Sequence, residues 1–158
     1  MKKLLYFSLA ALLFAACGNS ILYDEERTFN NNVWNGFTPE VYTLDINNIE
    51  DYYNIDITVA VDTARYSYNS LPMTVNLYSP NDERRMFYAD VALAENGRPK
   101  GEVIDGYRVV TGRIRSYFSF NSRGEHRMEL GQATSQYDLE GIHSIRLTIE
   151  KAPMELPE

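Results

Sequence analysis

The sequence has a single cysteine, Cys17, two histidines and one tryptophan among its 158 residues. One cysteine cannot form an intrachain disulfide, and two histidines leave few of the three or four ligands that a zinc site needs. The HExxH, CxxC, GxSxG, Walker and dinucleotide-binding patterns are also missing. We therefore predict no metal, no cofactor and no catalytic residue. A calcium site at Asp24–Glu26 or Asp82-Glu83 is left open, although neither has the ligand spacing of an EF-hand loop.

Basic residues are scarce too, at 15 against 22 acidic residues and a formal net charge of -7. Nucleic-acid binding needs clustered Lys and Arg facing phosphates, so this class of partner is excluded. The chain is 44% hydrophobic and 13% aromatic. Such a composition builds a folded core and excludes a disordered acidic chain, and the length fits one globular domain.

The N-terminal hydrophobic run is too short to span a membrane. It covers Leu4–Phe14 after two lysines, whereas a transmembrane helix needs about 20 apolar residues. A positive start followed by a short apolar segment is typical of a secretory signal peptide. We predict that residues 1–16 are this signal and are removed.

Small residues, Ala15 and Ala16, stand directly before Cys17, as in the lipobox cut by the bacterial lipoprotein signal peptidase. Cys17 is thus the predicted N-terminus of the mature chain, acylated with fatty acids such as palmitate. The alternatives are an ordinary signal peptide with a chance cysteine, or a buried free cysteine. Residues 17–20 would form a tether that spans at most about 17 Å, which keeps the domain close to its membrane.

The mature chain has the alternation of β-strands. Tyr53–Asp62 is apolar at the odd positions and mostly polar at the even ones, which predicts a strand with Val59 on the core side and Asp56 towards solvent. Shorter runs of the same kind occur at Val41–Asn47, Met73–Tyr78, Arg85–Ala94, Arg113–Phe120, His126–Leu130 and Ile142–Glu150.

Turn formers separate these runs, among them Asn96-Gly97 and Arg123-Gly124, which can supply positive φ angles. Several strands at this spacing predict an all-β fold, a two-layer antiparallel β-sandwich of jelly-roll or Ig-like Greek-key type, over residues 21–151. The irregular window Glu102–Val110 is expected to be a long crossover. Residues 152–158 are expected to be a frayed tail.

Aromatic residues in loop-like sequence are the candidate contacts for a ligand or partner: Trp34, Tyr66 and Tyr68. Their rings could stack on sugars, but the favoured alternative is that Trp34 closes one end of the sandwich and the tyrosines pack at layer edges. Of the histidines, His143 is expected at the core edge with a hydrogen-bond partner, and His126 is expected to be exposed.

From Trp34 to Lys151, about three quarters of the chain, the order of short motifs resembles the gliding-motility-associated lipoprotein family of Bacteroidetes (GldH type). The residues that carry the resemblance are Trp34, Tyr53–Ile57, Tyr66–Leu71, Leu93–Arg98, Lys100-Gly101, Gly124–His126, Gly131–Ala133, Leu139–Ile142 and Leu147–Lys151. Three short stretches depart from the family pattern: Asp62-Thr63, Arg123-Gly124 and Thr134-Ser135.

The resemblance implies an envelope lipoprotein that is an accessory component of the gliding machinery, with no assigned catalytic step. It would act as a scaffold or docking domain, held to the membrane by its lipid anchor, with other envelope proteins as partners. The alternative function is a surface glycan-binding lipoprotein. In Bacteroidetes lipoproteins, the signal for export to the cell surface is usually an acidic run directly after the lipidated cysteine. Here the acidic run Asp24–Glu26 begins seven residues after Cys17. We therefore expect an outer-membrane location facing the periplasm.

Overall fold

The computed structural model describes residues 21–153. The predicted signal peptide 1–16, the tether 17–20 with Cys17, and residues 154–158 lie outside the described residues. In the described part, no helix is long and apolar enough to cross a membrane. Ala152 is buried and its N–H donates to the Tyr52 carbonyl, so ordered packing extends one residue past the predicted boundary at 151.

The chain folds into β-strands joined by short turns. They are β1 (Ile21–Thr28), β2 (Val33–Asn35), β3 (Glu40–Ile46), β4 (Tyr53–Val61), β5 (Ser70–Tyr78), β6 (Arg84–Ala92), β7 (Ala94–Glu95), β8 (Arg98–Pro99), β9 (Glu102–Ile104), β10 (Tyr107–Phe118), β11 (Gly124–Gln132), β12 (Asp138–Glu140) and β13 (Ile142–Lys151). A 3-10 turn occupies Asn30–Asn32. Every run of alternating residues identified in the sequence coincides with a strand, except for one or two residues at the ends of Val41–Asn47, Tyr53–Asp62, Arg85–Ala94 and Arg113–Phe120.

The long strands form two antiparallel sheets. The first has the order β1-β13-β4-β10-β9 and the second the order β3-β11-β5-β6. Among the long strands in chain order, the first pairs with the last, the second with the next to last, and so on inward: β1 with β13, β3 with β11, β4 with β10 and β5 with β6. This nested pairing is the jelly-roll topology. The predicted two-layer sandwich is therefore confirmed, and of the two predicted types it is the jelly roll.

The core lies between the sheets and follows the alternation of the strands. On β4, Ile55, Ile57 and Val59 are fully buried, as the sequence predicts, and on β5 the buried positions run from Leu71 to Leu77 at every second residue. Each such side chain contributes about 1.5–3 kcal/mol when it leaves water. This core fixes the register of both sheets, because a one-residue slip would turn it out to solvent.

The outer face of the first sheet carries a charged network across three strands. The Arg113 guanidinium on β10 donates two hydrogen bonds of 2.9 Å to the Asp56 carboxylate on β4 and one of 3.0 Å to Glu150 on β13. These bonds, chiefly those to Asp56, raise the pKa of Arg113 above its ordinary value. Arg113 therefore ties the central strands of this sheet together.

Two hairpin turns use residues with positive φ. Asn96 and Gly97, at φ 50° and 73°, join β7 to β8, as the dipeptide predicts. Asp105 and Gly106, at φ 50° and 84°, join β9 to β10 in the same way. The expected long crossover at Glu102–Val110 is therefore wrong, because this window is a tight hairpin.

The strand directions give the sandwich two distinct ends. The lower end is where β1 begins at Ile21, beside the end of β13, and it includes the loops 47–52, 79–83 and 119–123. The upper end includes the loops 29–39, 62–69 and 133–141 together with the β7–β8 and β9–β10 hairpins. Because β1 starts at the lower end, any segment that precedes Ile21 enters the domain there.

Candidate functional site

Tyr66 and Tyr68, two of the predicted contact residues, lie together on the β4–β5 loop at the upper end. Their ring centroids are 5.3 Å apart in an edge-on arrangement. The Tyr66 ring is buried and its hydroxyl donates to the Ser70 carbonyl at 2.7 Å, whereas Tyr68 is 54% exposed. Burial first, and then the charge of Asp90, raises the pKa of Tyr66. Tyr66 thus supports the loop, and Tyr68 presents its ring.

Trp34, the third predicted contact residue, is a core residue and is only 1% exposed. Strand β2 places it opposite Leu139 of β12, and its ring stacks on Phe29 with centroids 5.4 Å apart. The structure does not bring Trp34 to the surface beside Tyr68. It closes the upper end of the core, which is the alternative that the sequence analysis favoured.

The loop that carries Tyr66 is fixed by a turn and by a glycine. The Asp62 carbonyl accepts hydrogen bonds from the N–H groups of Arg65 and Tyr66, and the Asp62 N–H donates to the Gly141 carbonyl. Gly141 has φ +88°, and a Cβ there would lie 2.7 Å from the Tyr66 backbone nitrogen. Only glycine allows this close approach, so the position of Tyr66 depends on Gly141.

Two clefts flank the Tyr68 ring. One, of about 230 Å³, is lined by Thr63, Leu93 and Arg108, and the other, of about 300 Å³, by Pro72, Thr134 and Ser135. Both combine apolar walls with hydroxyl or guanidinium groups. Such walls suit a peptide side chain or a sugar ring, with the aromatic face as a shared wall.

A pair of exposed rings that the sequence analysis missed lies at the same end. Phe37 and Tyr137 are 74% and 62% exposed, and their ring centroids are 4.6 Å apart. The Gly36 N–H donates to the Tyr137 carbonyl at 2.7 Å, and the Asn35 amide donates to the Asp138 carboxylate at 2.9 Å. Backbone pairing between distant loops holds the two rings together. The position of both residues in turn-rich sequence was the one sign that their side chains are exposed.

A hydrogen-bonded loop connects this ring pair with Tyr68. The Gln132 amide donates to the Gln136 carbonyl at 2.6 Å and accepts from the Thr134 N–H at 2.8 Å. The loop therefore holds a fixed shape from the cleft beside Tyr68 to the rings of Phe37 and Tyr137. We call Phe37, Tyr68, Thr134, Ser135 and Tyr137 together the upper rim.

The histidines are not part of the upper rim. His143 stacks on Tyr107, with centroids 3.9 Å apart, and shares a 2.9 Å hydrogen bond with the Asn32 side chain, as expected for a partnered core-edge histidine. The expected exposure of His126 is wrong, because it lies in phase with Met128 on the inner face of β11 and is fully buried. Among residues 21–153, no group of three His, Cys, Asp or Glu side chains is arranged to hold a metal ion.

Comparison with known proteins places the chain in a sequence family. A family model described as GldH lipoprotein matches residues 21–149, which is most of the chain. No curated protein matches the sequence.

Two solved structures of Tobacco streak virus coat protein are also similar to the chain. The C2 crystal form at 2.1 Å has 10% identity and a TM-score of 0.24, and covers 85% of this chain and 90% of that one. The dimer at 2.4 Å has 12% identity and a TM-score of 0.20, and covers 85% and 89%. At these TM-scores, neither likeness supports a conclusion.

Proposed function

Because the chain belongs to the GldH lipoprotein family, we propose that it is anchored through an acylated Cys17 and that its sandwich is a non-catalytic docking domain for other envelope proteins. Family membership makes it a gliding-motility-associated, lipid-anchored protein of the cell envelope. The finer proposal is that the upper rim makes the partner contact. The observation that carries it is the exposed ring pair of Phe37 and Tyr137.

The direction of β1 supports a role for the upper rim in reaching partners. Cys17 precedes Ile21 by four positions, and the intervening chain spans at most about 17 Å. The lower end would therefore stay close to the membrane. Strand β1 has 8 residues at about 3.3 Å each, so the upper rim would lie about 26 Å farther out. A partner that approaches from the side away from the membrane would therefore meet the rim first.

The chemistry of the upper rim suits a protein contact. Exposed apolar side chains that lie together mark interaction surfaces, and tyrosine is enriched among the residues that contribute most binding energy. Phe37 and Tyr137 already pack on each other, so a partner would lose little rotamer freedom in covering them. Ser135 lines the cleft beside Tyr68, and its hydroxyl would satisfy a polar group at the edge of such an interface.

The anchor is tested by Cys17→Ala. Without the thiol no diacylglyceryl group can be attached, so the variant should lose fatty-acid labelling and appear in the soluble fraction. Asn19→Ala, two positions further on, is the matched control and should remain labelled and membrane-bound. A Cys17→Ala protein that is still labelled and still sediments with membranes would contradict the proposal.

The upper rim is tested by affinity capture from envelope extracts with the intact lipoprotein. The double variant Phe37→Ser, Tyr137→Ser should lose its specific partner, while Tyr88→Ser, which changes another well-exposed ring on β6, should keep it. Exposed rings cost little to remove, about 1 kcal/mol or less, so the fold should survive. Equal capture by both variants would rule out the rim as the docking surface.

We also propose that the protein lies in the outer membrane and faces the periplasm. Protease added to intact cells should then leave the domain whole, and the same protease should cut it after the outer membrane is opened. Digestion of the domain on intact cells would place it on the cell surface.

A second candidate function, glycan binding, has one observation in its favour: the half-exposed ring of Tyr68 stands between two clefts with hydroxyl groups in their walls. A polysaccharide bound there should lose affinity in Tyr68→Ala but not in Phe37→Ser. The docking proposal expects no binding above background on a glycan array. Binding that Tyr68→Ala abolishes would establish the glycan function instead.

A further inference from the structure

Exposed apolar side chains also gather at the lower end. They are Ile21, Ile49, Tyr52 and Tyr117. Tyr52 and Tyr117 are each 52% exposed and line one small cleft together with Lys151. Ile49 shares the β3–β4 loop with Tyr52, and Ile21 is paired with Glu150, next to Lys151. The four side chains thus come from three separate parts of the chain and lie along one end of the first sheet, from the edge strand β1 to β10 three strands away.

The backbone at Tyr117 is held in a strained conformation that exposes its ring. Tyr117 has φ +50°, a region that bulky residues avoid, within a strand irregularity between Arg115 and Phe118. The buried side chain of Asn54 accepts a hydrogen bond of 3.4 Å from the Tyr117 N–H and supports this irregularity. Strain of this kind is retained where it positions a group for function.

From these observations we propose that the lower end rests on the membrane itself, with Ile21, Ile49, Tyr52 and Tyr117 in the lipid headgroup region. Tyrosine concentrates at membrane–water interfaces, where its ring meets the acyl boundary and its hydroxyl stays in water. The inference rests on the proposed anchor, because Ile21 follows Cys17 by four positions and so lies within about 17 Å of the lipidated residue, at the same end of the sandwich as the other three side chains.

The charges at the lower end favour a contact made by rings rather than by electrostatic attraction. Lys151 is already paired with Asp51 at 2.7 Å, and Glu83 is engaged by Asn121 and Arg85. Arg123 in the loop 119–123 is exposed without a carboxylate partner, and Arg84 at the start of β6 bonds only the Asn76 side chain. The loops of the same end also carry Glu50, Asp51, Asp82 and Glu83, so the described residues there form no polybasic patch for anionic lipids. The contact should therefore be insensitive to salt and to the anionic lipid content of the bilayer, unlike a polybasic one.

The contact is tested with the intact lipoprotein, purified from membranes and reconstituted into vesicles of bromine-labelled phosphatidylcholine, which quenches nearby tryptophan. Tyr52→Trp should lose at least half of the fluorescence that the new residue adds. Tyr137→Trp, on the upper rim, is the matched control and should lose none. The native Trp34, at the upper end, serves as an internal reference in every sample.

Each other outcome has one meaning. An unquenched Tyr52→Trp, or equal quenching of Tyr137→Trp, overturns the contact, and Ile49→Trp repeats the measurement at a second position. A Tyr52→Trp residue shielded from acrylamide but not quenched by bromine shows that protein covers the lower end, which also overturns it. Flotation separates the two proposals: protein that floats unquenched refutes only the lipid contact, whereas protein that does not float refutes the anchor as well.

Discussion

Replacing Arg113 by methionine should cost about 1.5 kcal/mol of unfolding free energy. Three charge-assisted hydrogen bonds join Arg113 to Asp56 and Glu150, and methionine keeps the aliphatic stem but none of the donors. An exposed ion pair contributes about 0.2–1 kcal/mol, and loss of one partner from a buried pair costs about 3–5 kcal/mol. The Arg113 side chain is 44% exposed and its two carboxylate partners 15% and 22%, which places this network between those limits.

Urea unfolding followed by Trp34 fluorescence measures the effect, because the only tryptophan is buried in the core. With an m-value of about 2 kcal/mol per molar, a loss of 1.5 kcal/mol moves the midpoint down by about 0.8 M. A double-mutant cycle with Asp56→Asn should return a coupling energy of about 1 kcal/mol.

A matched control is the pair of Arg65 and Glu140, with one contact of 3.2 Å and exposures of 37% and 61%. Its coupling should stay below about 0.5 kcal/mol, since exposed pairs are screened by water and salt. If Arg113→Met shifts the midpoint no further than Arg65→Met does, the network contributes no more than an ordinary surface pair, and the argument from burial is refuted.

Further predictions concern the core, a glycine and an ionisable ring. Val59→Asp should lower the free energy of unfolding by several kcal/mol, which is much of a domain stability of about 5–15 kcal/mol. A small loss, measured by urea unfolding, would show that the β4 register is wrong. Gly141→Ala should lower the free energy of unfolding by at least about 2 kcal/mol, and Gly97→Ala by only about 1 kcal/mol. Both glycines have positive φ, but only at Gly141 would a Cβ collide with other atoms. Equal losses for the two variants would contradict the steric argument. Burial and then the Glu25 carboxylate raise the pKa of Tyr23 to about 12. The Tyr23 hydroxyl therefore ionises at a lower pH in the unfolded chain than in the folded protein. Stability should therefore fall as pH rises from about 10 to 12, and urea midpoints across this window should fall less steeply for Tyr23→Phe.

The long strands could be predicted from the sequence because apolar residues fill their inward positions and mostly polar residues their outward ones. The alternation in β4 gives both the strand and the inward direction of Val59, and the same phase in β11 should have shown His126 to be buried with Met128. Strand β9 gave no such signal because all three of its residues are exposed, so no period of two exists there. The Asp105-Gly106 dipeptide was the usable sign of its hairpin.

The upper rim could be predicted only in part, because it depends on contacts between distant loops. The loop position of Tyr68 follows from local sequence, but the pairing of Phe37 with Tyr137 requires the turn after β2 to meet the loop before β12. Trp34 shows the opposite case. Local sequence left both an exposed ring and a core position open for it, and the short β2–β12 ladder places it inward over the core, the position favoured from the sequence.

The position of β13 determines the order in which the domain can complete its fold. This strand lies between β1 and β4, so the first sheet has no continuous ladder until residues 142–151 are available. Pairings between segments far apart in sequence form slowly, and β1 must wait for a partner more than a hundred residues away. Until the last strand is present, β1 therefore has no place in the first sheet and the sandwich stays incomplete. The same delay leaves one edge of β4 without its hydrogen-bonded neighbour, and an unpaired strand edge is open to pairing with other chains.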